Sequence, residues 1–254
     1  HLITQNDYHR GKETAVTLLT KRGCPYQCIF CAREVKGGNQ VRYHSVGRVL
    51  GETNQIISHS GIHNLTFYDD TFTIDRERTL GLAGKLKNLN ITFTCNERLD
   101  TVDKEVLIAL KQAGCIQISY GLESADEEVL VSINKGPRIT FKKAVDTIRL
   151  TQDLGIDARV FFMFGFPSDS YRSVAKNLQL LKEAQPHSAR LSFLVPMPGS
   201  KIFRDAEKFG IKLPTNGWGQ YRYLDTNGPN TFIDHTAYLN QQEFRDADEQ
   251  FRLN

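Results

Sequence analysis

Three cysteines fall within eight residues near the start of the sequence. They are Cys24, Cys28 and Cys31 in the stretch TKRGCPYQCIFCAREVKGG, with the spacing C-x3-C-x2-C. Thiolates bind zinc, hold iron–sulfur clusters and exchange disulfides, so three chemistries compete for this motif. Because Pro25 disfavours helix at Cys24, the motif predicts an irregular loop whose thiols can all face a single metal ion or cluster.

The number of thiols favours an iron–sulfur cluster. A structural zinc site usually takes four ligands as two separated pairs, and a thioredoxin-like site needs only C-x2-C, which leaves Cys24 without a role. The remaining cysteines, Cys95 and Cys115, stand alone in predicted strands, and we interpret them as buried structural residues. A 4Fe–4S cluster on three thiolates leaves one iron free for a ligand. A zinc site, or a binding module without catalysis, is the alternative.

The totals describe an ordinary globular protein. The chain has 254 residues, of which 40% are hydrophobic and 24% charged, which suits one large α/β domain or two small ones. An odd number of clustered cysteines indicates a reducing compartment, and we predict a cytoplasmic protein. The net charge of +3 is too small to favour a nucleic-acid partner. Without an apolar run of about 20 residues, no membrane span is expected.

Apolar strands alternate with helical patterns six times along the chain. Candidate helix boundaries are a stop at Gly61, an N-cap at Asp75 and a further N-cap near Thr101. Six consecutive strand–helix units fit either an open doubly wound sheet or a partial barrel, and both bind ligands at the carboxyl ends of their parallel strands. The predicted strands, including the exit loop of the last, are residues 14–20, 62–70, a segment from 91, 115–124, 157–167 and 188–200.

The pattern C-x3-C-x-aromatic-C after the first of six such strands resembles the radical S-adenosylmethionine (SAM) superfamily. The pattern is carried here by Cys24, Cys28, Phe30 and Cys31. The resemblance implies a partial (β/α)6 barrel of parallel strands with outer helices. It also implies a 4Fe–4S cluster whose fourth iron chelates SAM, with Phe30 near the adenine. Reductive cleavage would give a 5′-deoxyadenosyl radical that abstracts hydrogen from a small-molecule substrate, with flavodoxin or ferredoxin as the type of electron donor.

The resemblance covers residues 14–200 and implies further SAM contacts at the strand ends. In FYDDTFT, Asp69 and Asp70 replace the Gly-Gly-Glu-like turn of the superfamily, a departure usual in its cobalamin-associated subgroup. In GLES, Glu123 would contact the SAM ribose. Each of these side chains has a structural alternative as a cap, turn or salt-bridge residue. The other implied contacts are Arg159 for the SAM carboxylate, Asn96 and Arg98 at the same mouth, and the backbone at Pro196 beside the adenine.

No acid or base is assigned, although Tyr68, Asp70 and Tyr120 are candidates to assist a substrate proton. We divide the chain into a linker or N-terminal extension (1–13), a core domain (14–210) and a loop-rich C-terminal extension (211–254). The extension is predicted to end in a helix at 240–253. Its aromatic residues would form a lid or simply pack on that helix; they are Trp218, Tyr221 and Tyr223.

The cobalamin-associated subgroup usually carries a separate cobalamin-binding domain before its radical domain, and no such domain is visible in this sequence. Two explanations stay open. The chain is either a relative that has lost cobalamin, or the catalytic part of a longer cobalamin-dependent radical SAM methyltransferase. Cobalamin is therefore a further candidate cofactor.

Overall fold

The computed structural model describes residues 15–213 and residue 249, and a six-stranded parallel sheet is the centre of that structure. A small two-stranded antiparallel sheet, β2–β3, flanks the cysteine loop. In the predicted tail helix at 240–253 the structure describes Glu249, which is helical. The predicted aromatic lid of Trp218, Tyr221 and Tyr223 lies outside the described residues. The strands are β1 (Val16–Leu18), β2 (Lys21–Arg22), β3 (Arg42–Tyr43), β4 (Asn64–Phe67), β5 (Thr92–Glu97), β6 (Cys115–Glu123), β7 (Asp157–Phe164) and β8 (Ser188–Phe193).

The order of the main sheet distinguishes between the two predicted architectures. The order is β1-β4-β5-β6-β7-β8, and every neighbouring pair is parallel. A doubly wound sheet reverses its winding at a switch point, whereas here each new strand lies beside the preceding one. The predicted α/β fold with six parallel strands is confirmed. Within the described part of the chain, β1 and β8 are edge strands that each pair with a single neighbour. The sheet of that part is therefore open rather than closed into a barrel.

Helices connect the strands, and local side chains define their ends. The Asp75 carboxylate accepts a hydrogen bond from the Arg78 amide and caps α3, and Gly61 ends α2 with a φ of 67°, both as predicted. The cap expected near Thr101 is Asp103, which caps α4, while the Thr101 hydroxyl bonds to the preceding turn. The helices are α1 (Arg33–Lys36), α2 (Val46–Ser60), α3 (Arg76–Leu86), α4 (Lys104–Gln112), α5 (Glu127–Ser132), α6 (Phe141–Asp153), α7 (Tyr171–Ala184) and α8 (Lys201–Arg204).

The two faces of the sheet differ in polarity. Alternate side chains of the central strands are at most 1% exposed and form the hydrophobic core; they include Leu65, Phe67, Phe93, Cys95, Ile118, Tyr120, Val160 and Phe162. Burial of one large apolar side chain stabilises a fold by about 1.5–3 kcal/mol. The other face, called the open face below, carries half-buried and mostly polar side chains; they include Thr66, Thr94, Asn96, Gln117, Arg159 and Phe161. This asymmetry separates a packing surface from a surface available to ligands.

Tertiary contacts shorten two predicted strands. The strand expected over 157–167 ends at Phe164, because Gly165 and Phe166 donate their amide hydrogens to the buried Asp169 carboxylate and turn the chain. The strand expected over 62–70 covers only Asn64–Phe67. The antiparallel β2–β3 pair and the short helix α1 were not predicted. No helix in the described ranges has both the length and the apolar character needed to span a membrane.

Glu97 joins the end of β5 to the loop that follows β4. Its buried carboxyl accepts hydrogen bonds from the Thr73 amide at 3.2 Å and the Thr73 hydroxyl at 2.6 Å. Burial raises the pKa of Glu97 to about 8, and the Thr73 hydrogen bonds only partly oppose this effect. The group is therefore neutral in the folded protein at neutral pH.

We predict that Glu97→Gln lessens the loss of stability with rising pH. Above the unfolded pKa of about 4.3 and up to about 8, the native carboxyl holds a proton that the unfolded chain has released. Stability must then fall as pH rises through this window. Urea unfolding at pH 5 and pH 8 should show a smaller decrease for Glu97→Gln than for wild type. The exposed Glu77→Gln on α3 is the control, and equal decreases in all three proteins would contradict the assignment.

Candidate functional site

The cysteine loop leaves the carboxyl end of β1 and is anchored there by Asp69. The Asp69 carboxylate is 1% exposed and accepts hydrogen bonds from the Thr20 amide at 2.8 Å, the Thr20 hydroxyl at 2.6 Å and the Lys21 amide at 3.2 Å. All these donors belong to the backbone or side chains between β1 and the first cysteine. The residue predicted to bind SAM therefore fixes the base of the loop, which leaves its backbone as the part able to face a ligand.

The far side of the loop closes tightly on itself. The Cys24 amide donates to the carbonyl of Gly38 at 3.2 Å, and the Arg42 guanidinium donates to the carbonyl of Gly37 at 2.9 Å. Gly23 has a φ of 87°, and a Cβ at this position would lie 2.1 Å from the carbonyl oxygen of Gln40. A glycine is thus required immediately before the first cysteine, because any side chain would force the two ends of the loop apart.

The three cysteines occupy this loop as free thiols. Cys28 is buried, whereas Cys24 and Cys31 are partly exposed. Burial raises the pKa of the Cys24 thiol and of the Cys31 thiol, and the nearby negative charge of Asp70 adds to both shifts. A thiolate in this loop is therefore costly until a positive partner compensates its charge, and binding to iron is such a compensation.

Three thiols of one loop are compatible with a cubane cluster. Among residues 15–213 and 249, no three His, Cys, Asp or Glu side chains converge on a point that could hold one metal ion. Thiolates that hold a cubane cluster bind separate iron atoms and need not converge on one point. The three cysteines lie in a single anchored loop, so they can hold three irons of a 4Fe–4S cluster and leave the fourth free.

Sequence comparison now decides the family. Residues 18–198 match the Radical SAM superfamily. The chain belongs to the radical SAM superfamily. Enzymes of this superfamily use a 4Fe–4S cluster and SAM, and this membership argues against the zinc site and the non-catalytic module that the cysteine spacing had left open.

The known relatives of this radical SAM chain include methyltransferases. An uncharacterised methyltransferase of Pyrococcus horikoshii is 31% identical over 88% of this chain and 49% of its own length. The bacteriochlorophyllide d C-12(1)-methyltransferase of Chlorobaculum tepidum is 25% identical over 82% of this chain and 46% of its own length. The chain therefore spans about half the length of these curated relatives.

Among solved structures, the radical SAM methyltransferase TsrM of Kitasatospora setae, with cobalamin and a 4Fe–4S cluster bound, shares the fold. The TM-score is 0.69 at 20% identity, over 77% of this chain and 37% of TsrM. At this level of identity the likeness shows a common radical SAM fold.

Glu123 is held in an uncommon conformation at the carboxyl end of β6. Its φ is +69°, and the register between β6 and β7 shifts between Gly121 and Glu123. Its Oε1 pairs with the buried Lys135 ammonium at 3.0 Å, while Oε2 has no hydrogen-bond partner among the described residues. Positive φ at a residue other than glycine costs about 1–3 kcal/mol and concentrates at functional sites. The remaining carboxylate oxygen is available to a ligand.

Phe30 connects the cysteine loop to this carboxylate. Its ring centroid lies 5.5 Å from that of Phe166, which follows β7, and 6.0 Å from the Lys135 ammonium. Lys135 in turn binds Glu123. The aromatic of the cysteine motif and the predicted ribose contact therefore share Lys135 as a neighbour.

Asp70 and Asn96 lie near the same edge of the sheet. Asp70 is exposed beside the buried Asp69, and its charge reaches the thiols of Cys24 and Cys31. Asn96 is half-buried on the open face, and its carbonyl accepts a hydrogen bond from the Phe72 amide at 3.1 Å.

Arg159 lies deeper in the open face than Glu123, at the same level of the sheet as Asn96. It pairs in register with Ser119 of β6, and its Nε donates to the Ser188 hydroxyl of β8 at 3.2 Å. Glu123 pairs with Phe162, so Arg159 is three strand positions below that level, or about 10 Å. A ligand that touches both residues must extend down the open face.

Pro196 lies in the turn after β8 that packs on the cysteine loop. Pro196 is buried, and a Cβ on Gly199 would lie 2.7 Å from a methyl carbon of Val35 in α1. The amide of Ile202 donates to the carbonyl of Ile29 at 2.9 Å. The exit loop of the last strand therefore packs against the cysteine loop, and the predicted adenine contact at Pro196 stays a prediction.

The two tyrosines considered for proton transfer, Tyr68 and Tyr120, lie in different environments. Tyr68 is exposed next to Asp69. Tyr120 is fully buried on the core side, where its hydroxyl hydrogen-bonds to that of Thr151 in α6 at 2.8 Å. Since a side chain under the outer helices cannot reach a substrate on the open face, the proton-transfer role considered for Tyr120 is wrong.

Sequence reasoning missed Lys21, Tyr26 and Lys135. Lys21 and Lys135 are buried, and the Tyr26 ring lies under the Arg98 guanidinium. Lys21 and Tyr26 flank Cys24, so the cysteine motif itself could have drawn attention to them. Lys135 follows Glu123 by twelve residues, beyond α5, and no spacing rule connects the two.

We predict that Cys24→Ala, Cys28→Ala and Cys31→Ala each abolish cluster binding, because a cluster deprived of one of three thiolates loses its attachment. Iron and sulfide content after anaerobic reconstitution is the measurement. Cys115→Ala is the matched control, since Cys115 is buried in β6 away from the loop, and it should keep its iron. Full iron retention in any loop variant would contradict the three-ligand arrangement.

Proposed function

We propose that this chain reductively cleaves SAM at a 4Fe–4S cluster held by Cys24, Cys28 and Cys31, and that the cleavage serves hydrogen abstraction from a small-molecule substrate. The observation that supports this most directly is the anchored loop of three free thiols at the carboxyl edge of a six-stranded parallel sheet. When bound, the reduced cluster supplies the electron that splits the sulfonium of SAM into methionine and a 5′-deoxyadenosyl radical.

The residues of the chain position SAM rather than react with it. Glu123 offers its free oxygen to the ribose hydroxyls, since its other oxygen is held by Lys135. Phe30 covers the adenine, and the backbone at Pro196 lies along the edge of the base. Asp69 and Asp70 contribute the turn that meets the amino group, with the Asp69 side chain reserved for the loop.

The open face holds the substrate in this proposal. It carries hydroxyl, amide and guanidinium groups in a row from Asn96 through Ser119 to Arg159. Arg159, assigned to the SAM carboxylate, has the hydroxyl of Ser188 as its hydrogen-bond partner among the described residues. Helices cover the opposite face, so a radical formed on the open face is shielded from water on the core side.

A second function, the radical SAM part of a cobalamin-dependent methyltransferase, is favoured by the comparisons. The relatives in Pyrococcus horikoshii and Chlorobaculum tepidum are named methyltransferases, and the similar TsrM structure holds cobalamin. This chain covers 49% of the first relative and 37% of TsrM. The methyl donor in this case is SAM, with cobalamin bound next to the open face.

The partners and the boundaries follow from the same chemistry. We propose residues 14–210 as the radical SAM core domain, with 1–13 as a linker and 211–254 as a C-terminal extension. An electron donor of the flavodoxin or ferredoxin type would reduce the cluster. Since such donors and free thiols belong to reducing compartments, we propose a cytoplasmic location.

The decisive experiment is anaerobic. The protein is reconstituted with iron and sulfide, and then dithionite and SAM are added. We expect 5′-deoxyadenosine and methionine in equal amounts by mass spectrometry, and none with Cys28→Ala. Bound iron without cleavage would contradict the proposed function.

The same mixture with added cobalamin separates the two candidate functions. Removal of the methyl group from SAM leaves S-adenosylhomocysteine, whereas reductive cleavage leaves 5′-deoxyadenosine. Cobalamin-dependent S-adenosylhomocysteine would support the methyltransferase. Its absence, with 5′-deoxyadenosine still formed, would favour hydrogen abstraction without methyl transfer.

We predict that Glu123→Ala weakens SAM binding by about tenfold or more without loss of iron, because a hydrogen bond to a charged group contributes about 1.5–3 kcal/mol. The dissociation constant is measured by anaerobic calorimetry on cluster-loaded protein. Glu128→Ala is the control, since this carboxylate is exposed on α5. An unchanged dissociation constant for Glu123→Ala would refute the ribose assignment.

A further inference from the structure

Arg98 is a cation buried beside the cysteine loop. Its side chain is 6% exposed and that of its partner Asp100 is 2% exposed. Burial disfavours the charged form, but the hydrogen bonds to Asp100 outweigh this and raise the pKa of Arg98 above its usual value. An arginine keeps its charge in a folded protein, so the guanidinium is a buried cation next to the loop.

Three contacts fix the orientation of this guanidinium. Its Nε and Nη2 donate to the two oxygens of Asp100 at 2.8 and 3.0 Å. Its Nη2 also donates to the carbonyl of Lys135 at 2.6 Å. Its plane lies over the Tyr26 ring, with 3.8 Å between the central carbon and the ring centroid. A guanidinium fixed in this way cannot turn away without breaking several buried hydrogen bonds.

The one remaining arm points at a cluster ligand. Nη1 of Arg98 lies 3.7 Å from Sγ of Cys28, within hydrogen-bond distance for sulfur. Cys28 is the buried member of the three thiols. Asp100 binds the Nε and Nη2 atoms of the guanidinium, whereas Nη1 is the donor that faces the sulfur. The sulfur therefore faces a positive dipole.

We propose that Arg98 raises the reduction potential of the cluster through this contact with Cys28. The proposal rests on the proposed function, because it needs a cluster on the three cysteines. Reduction adds one negative charge to the cluster and its thiolates. A hydrogen bond to a ligand sulfur and a buried cation stabilise the reduced form more than the oxidised form. Since Arg98 acts through Cys28 in this proposal, it is a positioning residue.

Arg78 provides a matched control. Its guanidinium also lies over a tyrosine ring, that of Tyr43, at 4.8 Å, and it also donates to backbone carbonyls, those of Thr20 and His44. It has no contact with a cysteine sulfur among the residues described in the structure. Loss of Arg78 thus removes a comparable arginine–tyrosine stack without removing a cluster contact.

The experiment is a redox titration of the reconstituted protein, monitored by the electron paramagnetic resonance signal of the reduced cluster. Iron content is measured first. We expect Arg98→Gln to shift the midpoint potential to more negative values and Arg78→Gln to leave it unchanged. An unchanged potential in iron-loaded Arg98→Gln, or an equal shift in both variants, would overturn the proposal.

Asp100→Asn is an independent test, in which the midpoint potential should shift in the opposite direction to that in Arg98→Gln. It keeps the shape of the Arg98 partner but removes the negative charge that partly cancels the guanidinium, so the potential should become more positive. If Arg98→Gln fails to load iron, Asp100→Asn alone tests the proposal. An unchanged or more negative midpoint potential in Asp100→Asn would then overturn it. A wild-type protein that binds no cluster would overturn the proposed function as well, whereas a loaded cluster with no shift overturns only this inference.

Discussion

The carboxylate of Asp69 is the constraint on which the site depends. It lies after β4, yet it receives the amide hydrogens of Thr20 and Lys21 at the start of the cysteine loop. These bonds fasten the loop to the second strand of the main sheet, and the parallel pairing of β1 with β4 places both chain segments at the same edge. A buried charge satisfied by several hydrogen bonds is fixed in place, because any displacement leaves it unpaired. This attachment fixes the start of the loop that carries the three thiols.

Buried charges continue around the loop as fixed pairs. Arg98 pairs with Asp100, and Lys135 pairs with Glu123, each with at most 11% of its side chain exposed. The two pairs are joined because Arg98 also binds the carbonyl of Lys135. The cluster loop and the predicted ribose contact are thus parts of one polar network. In a low-dielectric interior such fixed dipoles act strongly on a bound cofactor and need little reorganisation when it changes charge.

The division of the sheet into two faces explains how one fold accommodates radical chemistry. The core side is filled by apolar side chains and covered by α-helices, which gives rigidity and excludes water. The open face is polar and half-buried, and its strands carry Glu123 and Arg159 at different levels. The relatives carry additional length beyond the region shared with this chain, and such additions can change the substrate while the shared sheet and its cysteine loop stay the same.

The sequence by itself determined the elements that depend on local pattern. Three thiols at C-x3-C-x2-C identify a cluster motif, alternating apolar strands and helices give a parallel α/β sheet, and Asp75 and Gly61 define helix ends through their own side chain or backbone. The N-cap of α4 could not be located from sequence, because Thr101 and Asp103 are both good capping residues and only the tertiary fold engages Thr101 elsewhere.

Tertiary structure alone decided what lies next to what. Strand order separated a barrel wall from a doubly wound sheet, since both share the same alternation of elements. Tyr120 lies on the core side of the sheet and is therefore not part of the site. Contacts between residues distant in sequence place Asp69 next to Thr20 and Lys135 next to Glu123. Arg98 stood in the sequence as one polar residue after a strand. Its contact with Cys28 joins residues seventy positions apart, and no local propensity or spacing encodes such a contact, because it exists only once the parallel sheet has aligned the ends of its strands.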